Sequence, residues 1–356
     1  KVAFIFSSVK YNQQKLLDGA KEVLGTAPII GCTSSGGILV PDGFITSNNG
    51  FAGILAIGDP DTAVGVAGSE KLTTARETGR QVAIEAMNKV GTTFSPAYFF
   101  MIANPGEEEE YAKGIQDIIG DVPMFGGSAA DDDLTGKWKI FTSDKVFSEG
   151  VAVAFFYTNK KIVNEYTGKY HETVNSGVIT KIKGRRNLQE IDGIPAMKKY
   201  AEWAGFKTRE LMGDKILTAS VLKPLGVKTP TGNITLIRHP MYGNSDYSIN
   251  LGNDLSVNTA VVQMQTSVDE LVKAPKLTLR NLKAKAEKEI AGYLIIHCGG
   301  RKMAIGDRID EVAKLLKEEA GEVPFIVPFT FGEYGRGEHE ANNMGGLMLS
   351  ETAFCK

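Results

Sequence analysis

The chain has 356 residues, a formal net charge of −2, 42% hydrophobic and 23% charged residues. That is enough for roughly two domains of about 150 residues each, with a core that needs no staples. Lys and Arg are spread along the chain without a basic stripe, which argues against nucleic acid or an anionic membrane as the main partner.

In chain order, "VAFIFSS" (2–8) reads as a strand. "NQQKLLDGAKEVLG" (12–25) has helical apolar spacing and a closing glycine. "APIIG" (27–31) is a strand that runs into "CTSSGGILV", and 50–58 and 62–68 are further strands around the turn "DPD". A second helix is expected over 74–91. The pattern then restarts: strand 97–103, helix 107–120, strand 122–127 and strand 150–158. Gly19 and Gly114, Gly25 and Gly120, Pro28 and Pro123, and Gly31 and Gly126 match at one offset of 95 residues. This predicts an internal duplication, with copies at about 1–91 and 92–160.

Residues 161–205 are strand-rich and end in the helix "IPAMKKYAEWAG". Loop signals over 200–225 predict a domain break, giving domains of 1–205 and 206–356. Extended segments follow at 226–238 and 246–266. A long helix is expected over 268–290, broken in its first part at Pro275. The theme returns with strand 293–300, helix 307–321, strand and loop 323–337 and strand 345–354. Gly321 precedes Pro324 by three residues, as Gly25 precedes Pro28, so a weaker third copy is expected at the C-terminus. The expected fold class is mixed α/β with antiparallel strands, in two domains built on a duplicated β-α-β-β unit.

The three cysteines, Cys32, Cys298 and Cys355, do not form a disulfide framework and point to a reducing cytoplasm. No run of about 18 apolar residues suggests a membrane span. The opening residues read as a core strand rather than a signal peptide.

Ligands of open α/β sheets bind beyond the carboxyl ends of the strands. The first such loop offers Cys32, Thr33, Ser34 and Ser35, with glycines that let backbone approach closely. The second offers Gly126, Gly127, Ser128, Asp131 and Asp132, one of whose carboxylates could meet an ammonium group or a metal. The C-terminal loops add Cys298, Arg301, suited to a carboxylate, and Glu333, suited to an amine. Together they would suit a zwitterion. No histidine has metal-ligand spacing and no phosphate-loop fingerprint occurs, so neither metal nor cofactor is expected. The alternative is a cysteine-dependent hydrolase or acyl transferase using Cys32 or Cys298, which would require a nearby base and a lowered thiol pKa.

The motifs "IIGCTSSGGI", "MFGGSAADDD", "EGVAVAFF" with "KYHETVNSGVITKIKGRRNLQEIDGIPAMKKY", "HCGGR" and "FTFGEYGR" resemble, in that order, the landmarks of the FIST sensory proteins. The first four resemble the FIST N-terminal domain and the last two its C-terminal domain. The resemblance implies a sensory module of signal transduction that binds a small ligand and has no catalytic residues, the expected ligand being an amino acid or a small carboxylate. Its matching positions include Gly31, Cys32, Ser34, Gly36, Gly126, Gly127, Asp131, Asp132, Cys298, Arg301, Gly332 and Glu333. Gly37 stands where family members often carry an acid, and "GEYGR" is less apolar than the usual continuation. Within these residues no output domain is visible, so a protein partner or an oligomer would carry the signal.

Overall fold

The computed structural model describes residues 1–232 and 234–356. Its organising motif is a parallel strand pair joined through a helix, and it occurs three times. Val2–Ser7 pairs with Ile29–Thr33 through helix Gln13–Leu24. Tyr98–Ala103 pairs with Met124–Ser128 through helix Glu108–Ile119. Ile290–Cys298 pairs with Phe325–Thr330 across a crossover that contains helix Ile309–Ala320. Each first strand carries an antiparallel neighbour on its other side: Ala52–Ile57, Gly150–Tyr157 and Leu349–Cys355 respectively. Each second strand also carries one: Ile140–Thr142, Glu333–Arg336 and Ile38–Val40. The three units therefore share one strand order.

Local chemistry sets the helix ends. The Asn12 side chain accepts from Lys15 N–H, Thr74 from Glu77 N–H, and Ser267 forms a reciprocal capping box with Glu270. Gly25, Gly91, Gly120 and Gly321 close helices at positive φ, where a side chain would be strained. The expected break at Pro275 does not occur. Pro275 lies inside the continuous helix Val268–Ala286, on the face it buries with Leu271, Val272 and Leu279. Packing along that face outweighs the roughly 3 kcal/mol that an interior proline costs.

The three units meet at an aromatic centre. Phe4 of the first lies edge-on to Phe100 of the second, with centroids 5.0 Å apart. Phe354, beside the third, lies 6.0 Å from Phe4 and 5.9 Å from Phe125. Edge-to-face geometry suits the ring quadrupoles and adds to the burial of these side chains. A separate, largely antiparallel sheet is built from strands between Pro240–Gly243 and Thr235–Arg238 at its two edges, and it includes the long strand His171–Lys183.

Pairing does not follow chain order. Ile162–Thr167 pairs with Leu349–Cys355, Ile38–Val40 with Phe325–Thr330, and Met124–Ser128 with Glu333–Arg336. Among the described residues no helix is long and apolar enough to cross a membrane. The architecture is mixed α/β with several antiparallel-dominated sheets.

Candidate functional site

Two strands run slightly further than the sequence suggests, which places Cys32, Thr33 and Ser128 within strands. Ile29–Thr33 includes Cys32 and Thr33, and Met124–Ser128 includes Gly126, Gly127 and Ser128. Cys32 is fully buried among Phe4, Phe6 and Phe125. Gly126 and Gly127 are backbone positions: a Cβ on Gly126 would lie 1.9 Å from the Met101 carbonyl oxygen, and one on Gly127 would lie 2.8 Å from that of Gly332.

Beyond these strands the three units are laced together by main-chain bonds. Ala130 N–H donates to Thr33 O at 3.0 Å, joining the first and second units. Ser35 N–H donates to Phe329 O at 2.9 Å, joining the first to the third. Ser128 N–H donates to Gly332 O at 2.8 Å, joining the second to the third. Side chains reinforce the lacing. Ser34 Oγ donates to Gly37 O at 2.6 Å and accepts from Phe329 N–H at 2.8 Å. Thr33 Oγ1 accepts from Lys139 N–H at 2.9 Å, and Ser128 Oγ lies 2.6 Å from Tyr334 Oη. Asp131 holds its own loop, taking Leu134 N–H at 2.6 Å and Lys137 N–H at 2.8 Å.

A hollow of about 340 Å³ opens where the loops converge. The first unit supplies Ser35, the second Asp132, Asp133 and Leu134. The third supplies Cys298, Lys302, Met303 and Phe331. A fourth side is closed by Leu217, His239, Met241 and Gly252 from the antiparallel region. Its volume falls at the small end of the range for small-molecule sites, about 300–1,000 Å³. Asp132, Asp133, Leu134 and Met303 are exposed at the rim, while His239 and Cys298 are buried at the floor.

Of the residues singled out from the sequence, Ser35, Asp132 and Cys298 line the hollow. Cys32, Thr33, Ser34, Gly126, Gly127, Ser128 and Asp131 stand behind it as framework. So do Arg301 and Glu333, both fully buried. The reason is a turn of helix, Gly299–Ile305, that begins directly after Cys298. It points Arg301 inward, where Nη1 donates to Gly168 O at 2.6 Å and Leu347 O at 3.1 Å. Its neighbour Lys302 takes the hollow.

Lys302 Nζ lies 5.4 Å from the ring centroids of both Phe44 and Phe329. Burial lowers its pKa, opposed by the Asp132 charge. Asp132 is positioned by Gly36 N–H, which donates to Oδ1 at 2.8 Å. The hollow therefore carries an anionic group on a loop and a cationic group on a helical turn. The sequence singles out Arg301 as the anion ligand and gives no sign of Lys302. It raises His239 only as a candidate metal ligand.

Behind the floor, burial pushes the Glu333 carboxyl up to about 8. Met348 N–H, donating at 2.9 Å, and the Thr330 hydroxyl, donating at 3.0 Å, oppose that shift. The Cys298 thiol contacts this carboxyl, and burial with the Glu333 charge pushes the thiol up to about 12. Burial alone pushes the Cys32 thiol upward. A nucleophilic cysteine needs the opposite shift. His239 Nε2 donates to Leu217 O at 2.8 Å, and burial lowers the ring to about 4, so it is neutral.

The FIST N domain family matches residues 1–194, and the FIST C domain family matches residues 196–336. No curated protein matches the chain.

Proposed function

Since the chain belongs to the FIST family of sensory domains in signal transduction, we propose that it is a receptor for a free amino acid, bound in the hollow between the strand-end loops. The observation that carries this reading is the pairing of Asp132 with Lys302 across one small cavity, above a largely apolar interior. Asp132 receives the ligand's ammonium group and Lys302 its carboxylate, and charge-assisted bonds of this kind are about twice as strong as neutral ones. Leu217, Met241, Met303 and Phe331 enclose the side chain.

No nucleophile is required by this role, and the raised thiol of Cys298 accords with a receptor rather than a thiol enzyme. Occupancy acts by favouring one arrangement of the loops and of the antiparallel region that together line the cavity. The signal then passes to a protein partner. The domain boundary expected near residue 205 falls between the segments that line the cavity, Ser35 and Asp132 to Leu134 before it and Leu217 onward after it, so the proposed site draws on both parts.

Thermal denaturation of the purified chain with each of the common amino acids, and with acetate and methylamine as half-ligands, tests the reading. At a hundredfold excess over Kd a ligand adds about 2.7 kcal/mol, a shift of several degrees. We expect at least one amino acid to give such a shift, the half-ligands to give little, and Asp132→Asn and Lys302→Gln each to remove most of it. If no amino acid at millimolar concentration moves the transition, the reading is wrong.

A further inference from the structure

The floor of the hollow holds a hydrogen-bond acceptor that no protein group uses. His239 is 6% exposed and its Nε2 proton is committed to the Leu217 carbonyl at 2.8 Å. The neutral ring therefore presents Nδ1 as a bare lone pair. Among the described residues no donor reaches that nitrogen, and His239 lines the hollow. The neighbouring polar group, the Cys298 thiol, is taken up by Glu333.

The space in front of His239 is kept open by Gly300. A Cβ at that position would lie 3.6 Å from His239 Cε1 and 3.6 Å from Cys298 Sγ, with the Leu347 side chain 2.9 Å away. Above this floor the walls are Leu217, Met241 and Phe331, and the charged groups are at the rim. An amino acid held by its charged end at the rim thus points its side chain towards His239.

We propose that the ligand is an aromatic amino acid whose ring carries an N–H or O–H group, and that His239 Nδ1 accepts that hydrogen bond. This rests on the amino-acid reading above and narrows it. The apolar walls favour a ring over a charged side chain. A primary amide would bring a carbonyl that finds no donor beside His239, whereas an indole is a donor only. A plain hydrocarbon ring would fill the walls but leave Nδ1 buried and unpaired, and sites built to bond a hydroxyl reject the analogue that lacks it.

Titration calorimetry of the full chain with tyrosine, phenylalanine, tryptophan and glutamine tests the proposal. Tyrosine and phenylalanine differ by one hydroxyl, so their ratio in the unaltered protein needs no variant. We expect tyrosine or tryptophan to bind at least about tenfold more tightly than phenylalanine, and glutamine more weakly than either. His239→Leu is expected to bring the tyrosine-to-phenylalanine ratio close to one while phenylalanine binding is kept. Should that variant fail to fold, the nitrogen-15 signal of the unprotonated His239 nitrogen serves instead. It should move on adding tyrosine and stay on adding phenylalanine. Phenylalanine binding as tightly as both tyrosine and tryptophan overturns this proposal and leaves the amino-acid receptor standing. The absence of binding by any amino acid overturns both.

Discussion

Glu333 shows how much a single side chain behind the cavity can decide. An unfolded glutamate titrates near pH 4.3, whereas burial holds Glu333 at about 8. Between those values the native state keeps a proton that the unfolded state has shed. Stability from this group is therefore complete below about pH 4.3, falls as pH rises, and levels off above about pH 8. Glu333→Gln can still accept from Met348 N–H and meet the Thr330 hydroxyl, so the variant should fold. Its melting temperature should decline less between about pH 5 and pH 8 than that of the unaltered chain. Parallel declines would mean that Glu333 is ionised in the native protein. His239 and His297 act in the other direction, since burial lowers them to about 4 and about 3 and both resist protonation.

At the same scale, the sequence points to the loops that border the proposed cavity but not to every side chain that lines it. Asp132, Ser35 and Cys298 were legible because they follow apolar strands and break them with small polar residues. Lys302 was not, because the helical turn that exposes it and buries Arg301 begins with two glycines and spans only seven residues. Such a segment has no apolar period to read. His239 was obscured for a different reason. The role proposed for it depends on a carbonyl at Leu217, and nothing in the local sequence announces that partner.

Among the elements, helices and parallel strands were legible, since capping residues, closing glycines and continuous apolar runs are local signals. Their environments were not. Gly19 and Gly114 hold the same place in the 95-residue spacing and both lie inside helices, Gln13–Leu24 and Glu108–Ile119. Gly19 has nothing within 4 Å of where a Cβ would be, whereas a Cβ on Gly114 would lie 2.0 Å from the Arg76 carbonyl oxygen. The helix around Gly114 packs against Ala75–Val90, and the glycine permits that approach. Gly19→Ala should therefore stabilise the protein by about 0.5–1 kcal/mol, the usual gain in a helix interior. Gly114→Ala should destabilise it by about 1–3 kcal/mol, as overpacking does. Chemical denaturation of both variants checks this, and equal effects would refute the difference in packing.

For the whole molecule, the sequence announced the fold class but not the pairing. No local pattern says that Ile162–Thr167 will lie against Leu349–Cys355. Polar contacts also bridge distant segments. Arg186 Nη2 reaches Glu108 and Glu109 at 2.5 Å each, and Arg186 Nε reaches Asp254 at 3.1 Å. Glu108 in turn accepts from Ser128 Oγ at 3.0 Å, close behind the cavity. Residues 1–205 expressed alone would leave Ile162–Thr167 without a strand partner and would open one edge each of Ile38–Val40 and Met124–Ser128. Unpaired backbone in a core position is costly. We expect that fragment to lack a cooperative thermal transition, and the full chain to unfold in one. A fragment that melts sharply by circular dichroism would show that the pairing across residue 205 is dispensable.

The place of Leu349–Cys355 also bears on how the protein is made. This strand is inserted between Ile162–Thr167 and Ile290–Cys298 rather than added to an edge. During synthesis the two flanking strands emerge from the ribosome before it, and their facing edges stay open until Leu349–Cys355 arrives. The nascent chain is therefore exposed to mispairing over that interval, and slowing the ribosome would lengthen that hazard instead of relieving it.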